Sequence, residues 1–277
     1  KPQPGKLPIL NGNALRKYIQ QYYYDAAGNI LQMTHSAGAG AFAGSWTRNY
    51  KYDKTSNRLL KTWTGGNELN AVEYMYDTHG SMRNLEKVGD EQFIRWDYND
   101  MIKSLNCLGG GWAYYQYDNS KQRNRKLLEK DAGINEERWY LGGMEWYRKR
   151  NASSEINEEI ETHHLFAGSQ RVLIVEDVIS TDNTLLNTGT LYRYQYSNHL
   201  GSVGLEAGEN GNIISYEEYH PYGTTAYSLK NAAVTAVAKR YRYTGVERDE
   251  ESGLNYHHAR YYAGWLGRWV TADSLGI

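Results

Sequence analysis

Aromatic and polar residues alternate in five short stretches of the chain, and each stretch leads into an acidic residue. The stretches lie at residues 22–25, 50–53, 74–77, 96–100 and 115–118. Their anchoring tyrosines, which are 28, 24, 22 and 19 residues apart, are Tyr24, Tyr52, Tyr76, Tyr98 and Tyr117. Because side chains at positions i and i+2 of a strand share one face, this alternation predicts strands with a tyrosine face. The spacing predicts a degenerate repeat whose unit accommodates one hairpin and a connection.

Each unit also carries the signals of a turn and of a returning strand. An aspartate such as Asp25 accepts hydrogen bonds from backbone N–H groups of a turn, and a glycine such as Gly28 tolerates the positive φ that the turn requires. The apolar pair Ile30-Leu31 then begins the return strand. Since one hairpin cannot bury a face alone, stacked units predict one continuous sheet and an all-β fold.

Helix signals are few. Residues 154–162 place Ile156 and Ile160 four positions apart on an acidic background, and residues 228–239 are rich in alanine, so a short helix is expected in each segment. The glycine-rich stretch at 38–44 has the spacing G-x-G-x-x-x-G without a flanking strand and helix, which favours a turn over a dinucleotide-binding loop.

Composition narrows the class of protein. The 277 residues carry 31 basic and 32 acidic side chains, and this balance argues against a basic surface for nucleic acid or for an anionic membrane. With 26 Tyr and 8 Trp but only 3 Phe, most bulky side chains carry a polar group, which suits broad sheets with one polar face. No apolar run is long enough to span a membrane, and no signal-peptide core is visible. The start at Lys1 rather than at a methionine indicates a piece of a longer polypeptide.

Reactive side chains outside the aromatic stretches favour structural roles. Cys107 lies beside a Gly-Gly-Gly turn with no catalytic partner in the nearby sequence, and a single cysteine excludes an internal disulfide. The histidine pairs at 163–164 and 257–258 point to opposite faces of a strand, so neither pair easily chelates one metal ion. His199 lies in a loop motif, and Ser252 lacks the flanking pattern of a serine nucleophile. No metal and no cofactor is therefore expected.

The second half of the chain contains an ordered series of longer motifs. They are Tyr196-Ser197-Asn198-His199-Leu200-Gly201, Tyr219-His220-Pro221-Tyr222-Gly223, Arg242-Tyr243-Thr244-Gly245, Glu247-Arg248-Asp249, Ala259-Arg260-Tyr261-Tyr262 and Gly267-Arg268-Trp269. In this order they resemble the RHS-repeat-associated core domain. The tyrosine–aspartate units resemble the YD repeats that precede this domain in the C component of bacterial Tc toxin complexes, in Rhs polymorphic toxins and, more distantly, in teneurins. The core resemblance covers about residues 192–277 and the YD resemblance about 18–125.

The resemblance implies an all-β shell with two parts. The YD/RHS hairpins of residues 1–190 would form part of a spiralling β-sheet shell, a hollow cocoon, and residues 191–277 would form the RHS-associated core that caps it. In the toxin families the shell encloses a C-terminal effector, and the core cuts its own chain as an aspartyl-protease-like domain. The implied function is encapsulation of a downstream effector and its release by autoproteolysis, a single-turnover reaction without an external substrate.

The same resemblance places the cleavage site at the end of this sequence. In the family the cut falls shortly after an Asp-Pro-x-Gly-Leu motif, which matches residues 273–277 here. Ser274 stands where the family has proline, and Ile277 stands where it has leucine. Cleavage is therefore expected after Ile277.

Asp249 and Asp273 are the carboxylates that the resemblance assigns to catalysis. Two carboxylates that share a proton supply one ionised group to activate water and one protonated group to polarise the carbonyl. The resemblance gives Arg248 a catalytic role and Arg268 a supporting role, because a guanidinium orients a carboxylate or stabilises a developing oxyanion. On the residues alone, Asp249 would begin an ordinary turn, and Arg248 would form an ordinary ion pair.

A second interpretation is an RHS/YD surface protein without cargo that mediates adhesion or binds carbohydrate, because exposed tyrosine and tryptophan rings can stack on sugars. On the favoured interpretation the partners are the encapsulated effector and the rest of the shell, which is either a B component or an upstream part of the same chain. Neither nucleic-acid binding nor direct membrane insertion is expected. The protein is expected to be secreted or extracellular, as part of a bacterial toxin complex.

Overall fold

Tyrosine–aspartate units fold as a strand, an aspartate-capped turn and a return strand. In the first unit, β1 (Tyr18–Tyr24) pairs with β2 (Ile30–Ala37) in antiparallel register, and the Asp25 carboxylate accepts N–H bonds from residues 27 and 29. Asp77, Asp97 and Asp118 each cap the N–H groups two and four residues ahead in the same way. The predicted cap is confirmed in these turns. The third unit is shorter, since Tyr76 and Met82 form only an isolated bridge.

The computed structural model describes residues 17–37, 44–86, 93–184, 186–231, 234 and 236–273. The described strands form three antiparallel sheets, so the all-β prediction is confirmed. The first sheet has five strands in sequence order: β1, β2, β3 (Trp46–Tyr52), β4 (Leu59–Thr64) and β5 (Val72–Glu73). A 3₁₀ helix at Glu68–Asn70 connects its last two strands.

The second sheet has twelve strands, again in unbroken sequence order. They are β6 (Ile94–Trp96), β7 (Ile102–Asn106), β8 (Trp112–Tyr117), β9 (Arg123–Glu129), β10 (Asn135–Leu141), β11 (Met144–Arg150), β12 (Ile156–Ala167), β13 (Gln170–Thr181), β14 (Gly189–Ser197), β15 (Val203–Ala207), β16 (Ile213–Tyr219) and β17 (Thr225–Lys230). A 3₁₀ helix at Tyr243–Gly245 then leads into the third sheet. Its order is β18 (Glu247–Arg248), β19 (Asn255–His257), β20 (Arg260–Ala263) and β21 (Arg268–Trp269).

The chain divides into two compact units, one of residues Asn11–Ile94 and one that includes Arg95–Ile277. Residue 191, where the sequence predicts the start of a core domain, lies within β14, which pairs with β13 in the long sheet. The functional division at this residue stays a prediction. Among the described residues, no helix is long and apolar enough to cross a membrane.

Neither expected helix is present among the described residues. Residues 156–167 form strand β12. Every second side chain of this strand points inward and is buried, namely Glu158, Ile160, Thr162 and His164. Two isoleucines four positions apart fit a period of two as well as a helical period, so the i, i+4 pair misled the helix prediction. Of the alanine-rich segment, residues 228–230 belong to β17, and residues 232, 233 and 235 lie outside the described residues.

The inward face of the long sheet is polar rather than aliphatic. Along β8 the alternation is clear, since Tyr115 is buried whereas Tyr114 is 37% exposed. On this inward face the four-stranded sheet packs through tyrosines: the hydroxyls of Tyr117 and Tyr261 lie 2.6 Å apart, and Tyr256 accepts the backbone N–H of Arg123 at 2.8 Å. At this contact the tyrosine rings pack while their hydroxyls form hydrogen bonds.

Candidate functional site

Asp249 follows β18 directly and begins a tight turn back into β19. Its backbone N–H donates to the Leu254 carbonyl at 2.8 Å, and its carbonyl accepts from Gly253 N–H at 2.7 Å. Gly253 has φ +70°, and a side chain on it would meet the Trp265 ring at 3.3 Å, so the turn requires glycine there. The sequence therefore predicts the turn correctly, and the turn directs Asp249 inward, where its side chain is fully buried.

The Asp249 carboxylate contacts two cations of strand β9. Arg123 Nη1 lies 3.0 and 2.8 Å from its two oxygens, and Lys126 Nζ lies 2.9 Å from Oδ1. All three side chains are at most 10% exposed. A charge that is buried to this extent is tolerated only with close partners of opposite sign, and here each partner is present.

A bulge in β9 places both cations on one face. Residues 123 and 126 would point to opposite faces of a regular strand because side chains alternate. Gln116 of β8 pairs with Arg125, but the next residue, Tyr117, pairs with Arg123. Asn124 is therefore an extra residue on β9. One inserted residue turns Arg123 back toward the face of Lys126.

Two further carboxylates flank Asp249. Glu247 accepts from Arg123 Nη2 at 2.6 Å, and burial raises the pKa of Glu247, but Arg123 and neighbouring cations outweigh burial and hold this pKa well below 4.5. Glu251 accepts the Tyr115 hydroxyl at 2.7 Å and lies 3.3 Å from Lys126 Nζ. Burial, assisted by the negative charge of Asp249, raises the pKa of Glu251 above its ordinary value. Burial thus favours the protonated form of Glu251, whereas the surrounding cations favour the ionised form of Glu247.

Glu145 of β11 extends the buried charges along the sheet. It accepts from Arg138 at 3.0 Å, from Arg240 at 2.6 Å and from Tyr241, and its Oε1 lies 2.8 Å from His164 Nε2. Burial raises the pKa of Glu145, but the charge of Arg240 and the bond to His164 hold it well below its ordinary value. Arg240 also contacts Glu247 at 3.0 Å, so it links Glu145 to the Asp249 cluster. The Asp249 cluster consists of Arg123, Lys126, Glu247, Asp249 and Glu251.

A cavity of about 400 Å³ lies beside this cluster. Its wall includes Arg123, Tyr140, Glu145, Glu247 and His258. The Tyr140 hydroxyl donates to Glu247 at 2.9 Å. The cavity therefore gives a polar, partly enclosed space next to a set of ionised groups.

The other predicted site residues lie around the four-stranded sheet. Asp273 follows β21 and accepts from Arg260 Nη1 at 2.7 Å, and its side chain is 46% exposed. Arg248 lies on β18 opposite Asn255, and Arg268 lies on β21 opposite Ala263.

Asp249 and Asp273 thus contact different cations, and they follow the two outer strands of this sheet. Ile277 lies outside the described residues. The catalytic pairing of the two aspartates, the roles of the two arginines and the cleavage position stay predictions.

The remaining reactive residues have structural contacts. His164 bonds to Glu145, and the Leu254 N–H donates to Ser252 Oγ at 3.1 Å. Burial raises the pKa of the Cys107 thiol to about 11, which disfavours the reactive thiolate. Among the residues that the structure describes, no group of three or more His, Cys, Asp and Glu side chains could hold a metal ion.

Comparison with known proteins finds similarity to toxin subunits over nearly the whole chain. The chain is 32% identical over 290 residues to toxin subunit YenC1 of Yersinia entomophaga and 30% identical over 268 residues to YenC2 of the same organism. The crystal structure of TcdB2-TccC3 matches with a TM-score of 0.77 at 27% identity and covers 94% of this chain. The chain resembles the RHS core of a Tc toxin C component. No family model matches it.

The match to these toxin subunits covers nearly all of this chain but a small part of the others. The alignments take in 99% and 94% of this chain but only 28% of YenC1 and 27% of YenC2. The chain likewise covers 12% of the TcdB2-TccC3 chain. The relatives therefore contain long regions beyond the part compared.

The family resemblance assigns a role to Asp249, but the sequence does not indicate the cations that hold its carboxylate. Arg123 and Lys126 lie in the return strand of the last tyrosine–aspartate unit, 126 and 123 residues before Asp249. The one local signal is that three basic residues, Arg123, Arg125 and Lys126, occupy a return strand that is otherwise expected to bury apolar side chains. Glu145 and Arg240 carry no motif signal, because their pairing depends on how two distant segments pack.

Proposed function

We propose that this chain is part of an RHS-repeat toxin shell that encloses a downstream effector and releases it by cutting its own chain after Ile277. The similarity to YenC1 over 99% of the chain and to TcdB2-TccC3 supports the toxin assignment. The burial of Asp249 carries the catalytic part. A turn-forming aspartate ordinarily caps nearby N–H groups at the surface, whereas Asp249 points inward to Arg123 and Lys126.

The proposed reaction is hydrolysis of one peptide bond in the chain itself. One of the two carboxylates, Asp249 or Asp273, takes a proton from water, and the water oxygen adds to the carbonyl carbon of Ile277. The C–N bond then breaks, the carbonyl retains the OH, and the departing amine takes a proton from the other carboxyl group. Because the scissile bond belongs to the same chain, its effective concentration is high and a modest catalyst suffices for one turnover.

Arg248 and Arg268 fit supporting roles in this scheme. Arg248 is the last residue of β18 and directly precedes Asp249, and Arg268 lies on β21 five residues before Asp273. Either guanidinium could orient a carboxylate or stabilise the oxyanion as the tetrahedral intermediate forms.

The face of the long sheet that points away from the four-stranded sheet suits contact with a polypeptide. Tyr192, Tyr194 and Tyr196 of β14 alternate on this face and are 37–57% exposed. Rows of tyrosine give flat rings with hydroxyls, which make many weak contacts without specificity. This face suits a shell wall that contacts a polypeptide, and exposed rings of this kind also suit the alternative function, stacking on carbohydrate.

The partners in this proposal are the effector and the remainder of the shell. The TcdB2-TccC3 structures are complexes of TccC3 with TcdB2, which supports assembly of this chain with another Tc toxin component. The chain would act outside the bacterium as part of a secreted toxin complex. It would be a single-turnover enzyme without an external substrate.

Denaturing electrophoresis and intact mass of the full-length protein test the proposal. The parent should give two polypeptides, with the shell fragment ending at Ile277, and the two should co-purify before denaturation. Asp273→Asn should leave a single uncut chain, whereas Asp131→Asn, in the exposed turn between β9 and β10, should cut like the parent. Unchanged cutting by Asp273→Asn would refute its catalytic role. Glycan-array binding by a protein that holds no second polypeptide would favour the adhesion alternative.

A further inference from the structure

Asp249 depends for its orientation on a residue of a different sheet. We propose that Arg123 of β9 is a positioning residue for Asp249 in the self-cleavage reaction. This inference rests on the proposed function and extends it, because it makes cleavage conditional on the docking of the four-stranded sheet against the long sheet. Nothing in the motifs around Asp249 assigns such a role to Arg123.

Arg123 is itself held on several sides. Its guanidinium lies over the rings of Tyr115, Tyr140 and Tyr256, with centroid distances of 5.6, 4.9 and 4.5 Å. Its side chain is 1% exposed. Tyr256 also accepts the Arg123 backbone N–H, and its hydroxyl donates to the Lys121 carbonyl at 2.8 Å. A guanidinium stacked in this way has little freedom to rotate, so its N–H groups have fixed directions.

The fixed guanidinium determines the orientation of two carboxylates. Nη1 contacts both oxygens of Asp249, and Nη2 contacts Glu247 at 2.6 Å. Asp249 can therefore not rotate about its terminal torsion without losing a charge-assisted hydrogen bond. Lys126 contributes a point charge on Oδ1 but no planar fork, so it cannot fix the carboxylate plane alone. The orientation of Asp249 thus depends on the shape of Arg123 as well as on its charge.

The two residues come together only after two sheets have assembled. Arg123 belongs to the twelve-stranded sheet, and Asp249 follows the first strand of the four-stranded sheet. Catalysis is sensitive to displacements of about 1 Å, which can cost about 100-fold in rate. A chain in which β9 has not docked against the turn at Asp249 would therefore cut slowly. Cleavage would follow assembly instead of preceding it.

The test uses the full-length protein and a matched control arginine. Arg193 of β14 is also buried and binds two carboxylates, Glu176 at 3.0 Å and Glu206 at 2.6 Å. Arg123→Gln should slow self-cleavage by about 100-fold, and Arg123→Lys, which keeps the charge but not the fork, by about 10-fold or more. Arg193→Gln and Arg193→Lys should cleave within about 3-fold of the parent once folded.

A second readout separates positioning from loss of structure. Cleavage is timed only in protein whose circular dichroism and protease resistance match the parent, and it is repeated across pH. Removal of the Arg123 charge should move the acid limb of the rate profile to higher pH, since a nearby cation favours ionised carboxylates. The charged groups at this site are Lys126 on β9, Glu247 on β18, Glu251 in the following turn and Arg240, which contacts Glu247. The titratable rings around Arg123 are those of Tyr115, Tyr140 and Tyr256. Arg193→Gln should not move the limb.

The outcomes distinguish this inference from the proposed function. A parent that stays uncut, or an Asp249→Asn variant that still cuts, would refute the function itself. The positioning role is tested when the parent cuts and Asp249→Asn does not. In that case, a folded Arg123→Lys variant that cleaves at the parental rate and with the parental pH profile would overturn the positioning role. If Arg123→Gln does not fold, Arg123→Lys carries the test, because it retains the buried positive charge.

Discussion

Arg123 and Asp249 lie 126 residues apart in the chain and form an ion pair in which Nη1 is 3.0 and 2.8 Å from the two carboxylate oxygens. This pair joins a return strand of the repeat region to the turn that contains the candidate catalytic acid. Glu247 lies 2.6 Å from Arg123, and Lys126 lies 2.9 Å from Asp249. The cluster therefore has a structural consequence that can be measured independently of any cleavage.

Replacement of Asp249 by an apolar residue should destabilise the fold strongly. Asp249→Leu leaves Arg123 and Lys126 buried with one partner fewer, and breaking a buried ion pair from one side costs about 3–5 kcal/mol. Urea unfolding followed by circular dichroism measures the free energy of unfolding. Glu250→Leu is the control, because Glu250 is 57% exposed and its contact with Arg242 is a surface ion pair. That substitution should cost about 1 kcal/mol or less, and equal losses in the two variants would contradict the prediction.

The capped turns provide a prediction at the level of one repeat unit. Asp118 accepts N–H bonds from Ser120 and Gln122 at 2.8 and 2.9 Å. Asp118→Ala removes both acceptors and should lower the free energy of unfolding by about 1–2 kcal/mol. Asn119→Ala, in the same exposed turn, should change it by about 0.5 kcal/mol or less. A loss at position 119 as large as that at position 118 would show that the cap is not the cause.

Local features of this fold could be predicted from the sequence, and long-range features could not. The turn at Asp118 follows from the chemistry of four adjacent residues, so the motif alone indicates it. The helix expected at Ile156 and Ile160 was wrong because pairing with β11 and β13 selects the strand period. Contacts such as Arg123 to Asp249 depend on how two sheets pack, and no local pattern encodes them. The turn at Asp249 was therefore predictable, but the partners of its carboxylate were not.

Gly111 and Gly109 allow a test of backbone crowding between β8 and β9. Both have a positive φ, +91° and +87°. A Cβ at Gly111 would lie 1.9 Å from the Glu129 carbonyl oxygen, whereas one at Gly109 would meet nothing within 4 Å. Gly109→Ala should lower the free energy of unfolding by about 1–2 kcal/mol, because it adds only the strain of a left-handed backbone. Gly111→Ala adds the clash as well and should lower it by at least about 3 kcal/mol. Thermal unfolding of the two variants measures the difference, and similar losses would refute the crowding.

Acid sensitivity should depend on Glu206 of β15. Burial raises its pKa, but Arg193 and Ser215, which contact it at 2.6 and 2.7 Å, outweigh burial and lower it below 4.5. As the pH falls, Glu206 therefore takes up a proton in the unfolded chain before it does so in the folded chain. The stabilisation of the fold by ionised Glu206 is present above pH 4.5 and is lost as the pH falls through the pKa that Glu206 has in the folded state. Glu206→Gln should make the decline in free energy of unfolding below pH 4.5 shallower. Glu209→Gln, in an exposed turn, should leave the decline as steep as in the parent.

His257 should make a separate contribution at mildly acidic pH. Burial between Tyr262 and Trp269, assisted by His258 and Arg260, lowers the pKa of His257 to about 4 from 6.5. The unfolded chain binds the proton first as the pH falls from 6.5 to about 4, so the free energy of unfolding should decrease across that window by about 3 kcal/mol at most. His257→Gln should remove this decrease, whereas His199→Gln, in an exposed loop, should retain it. NMR titration of the His257 ring measures the pKa directly, and a midpoint near 6.5 would contradict the buried, neutral state.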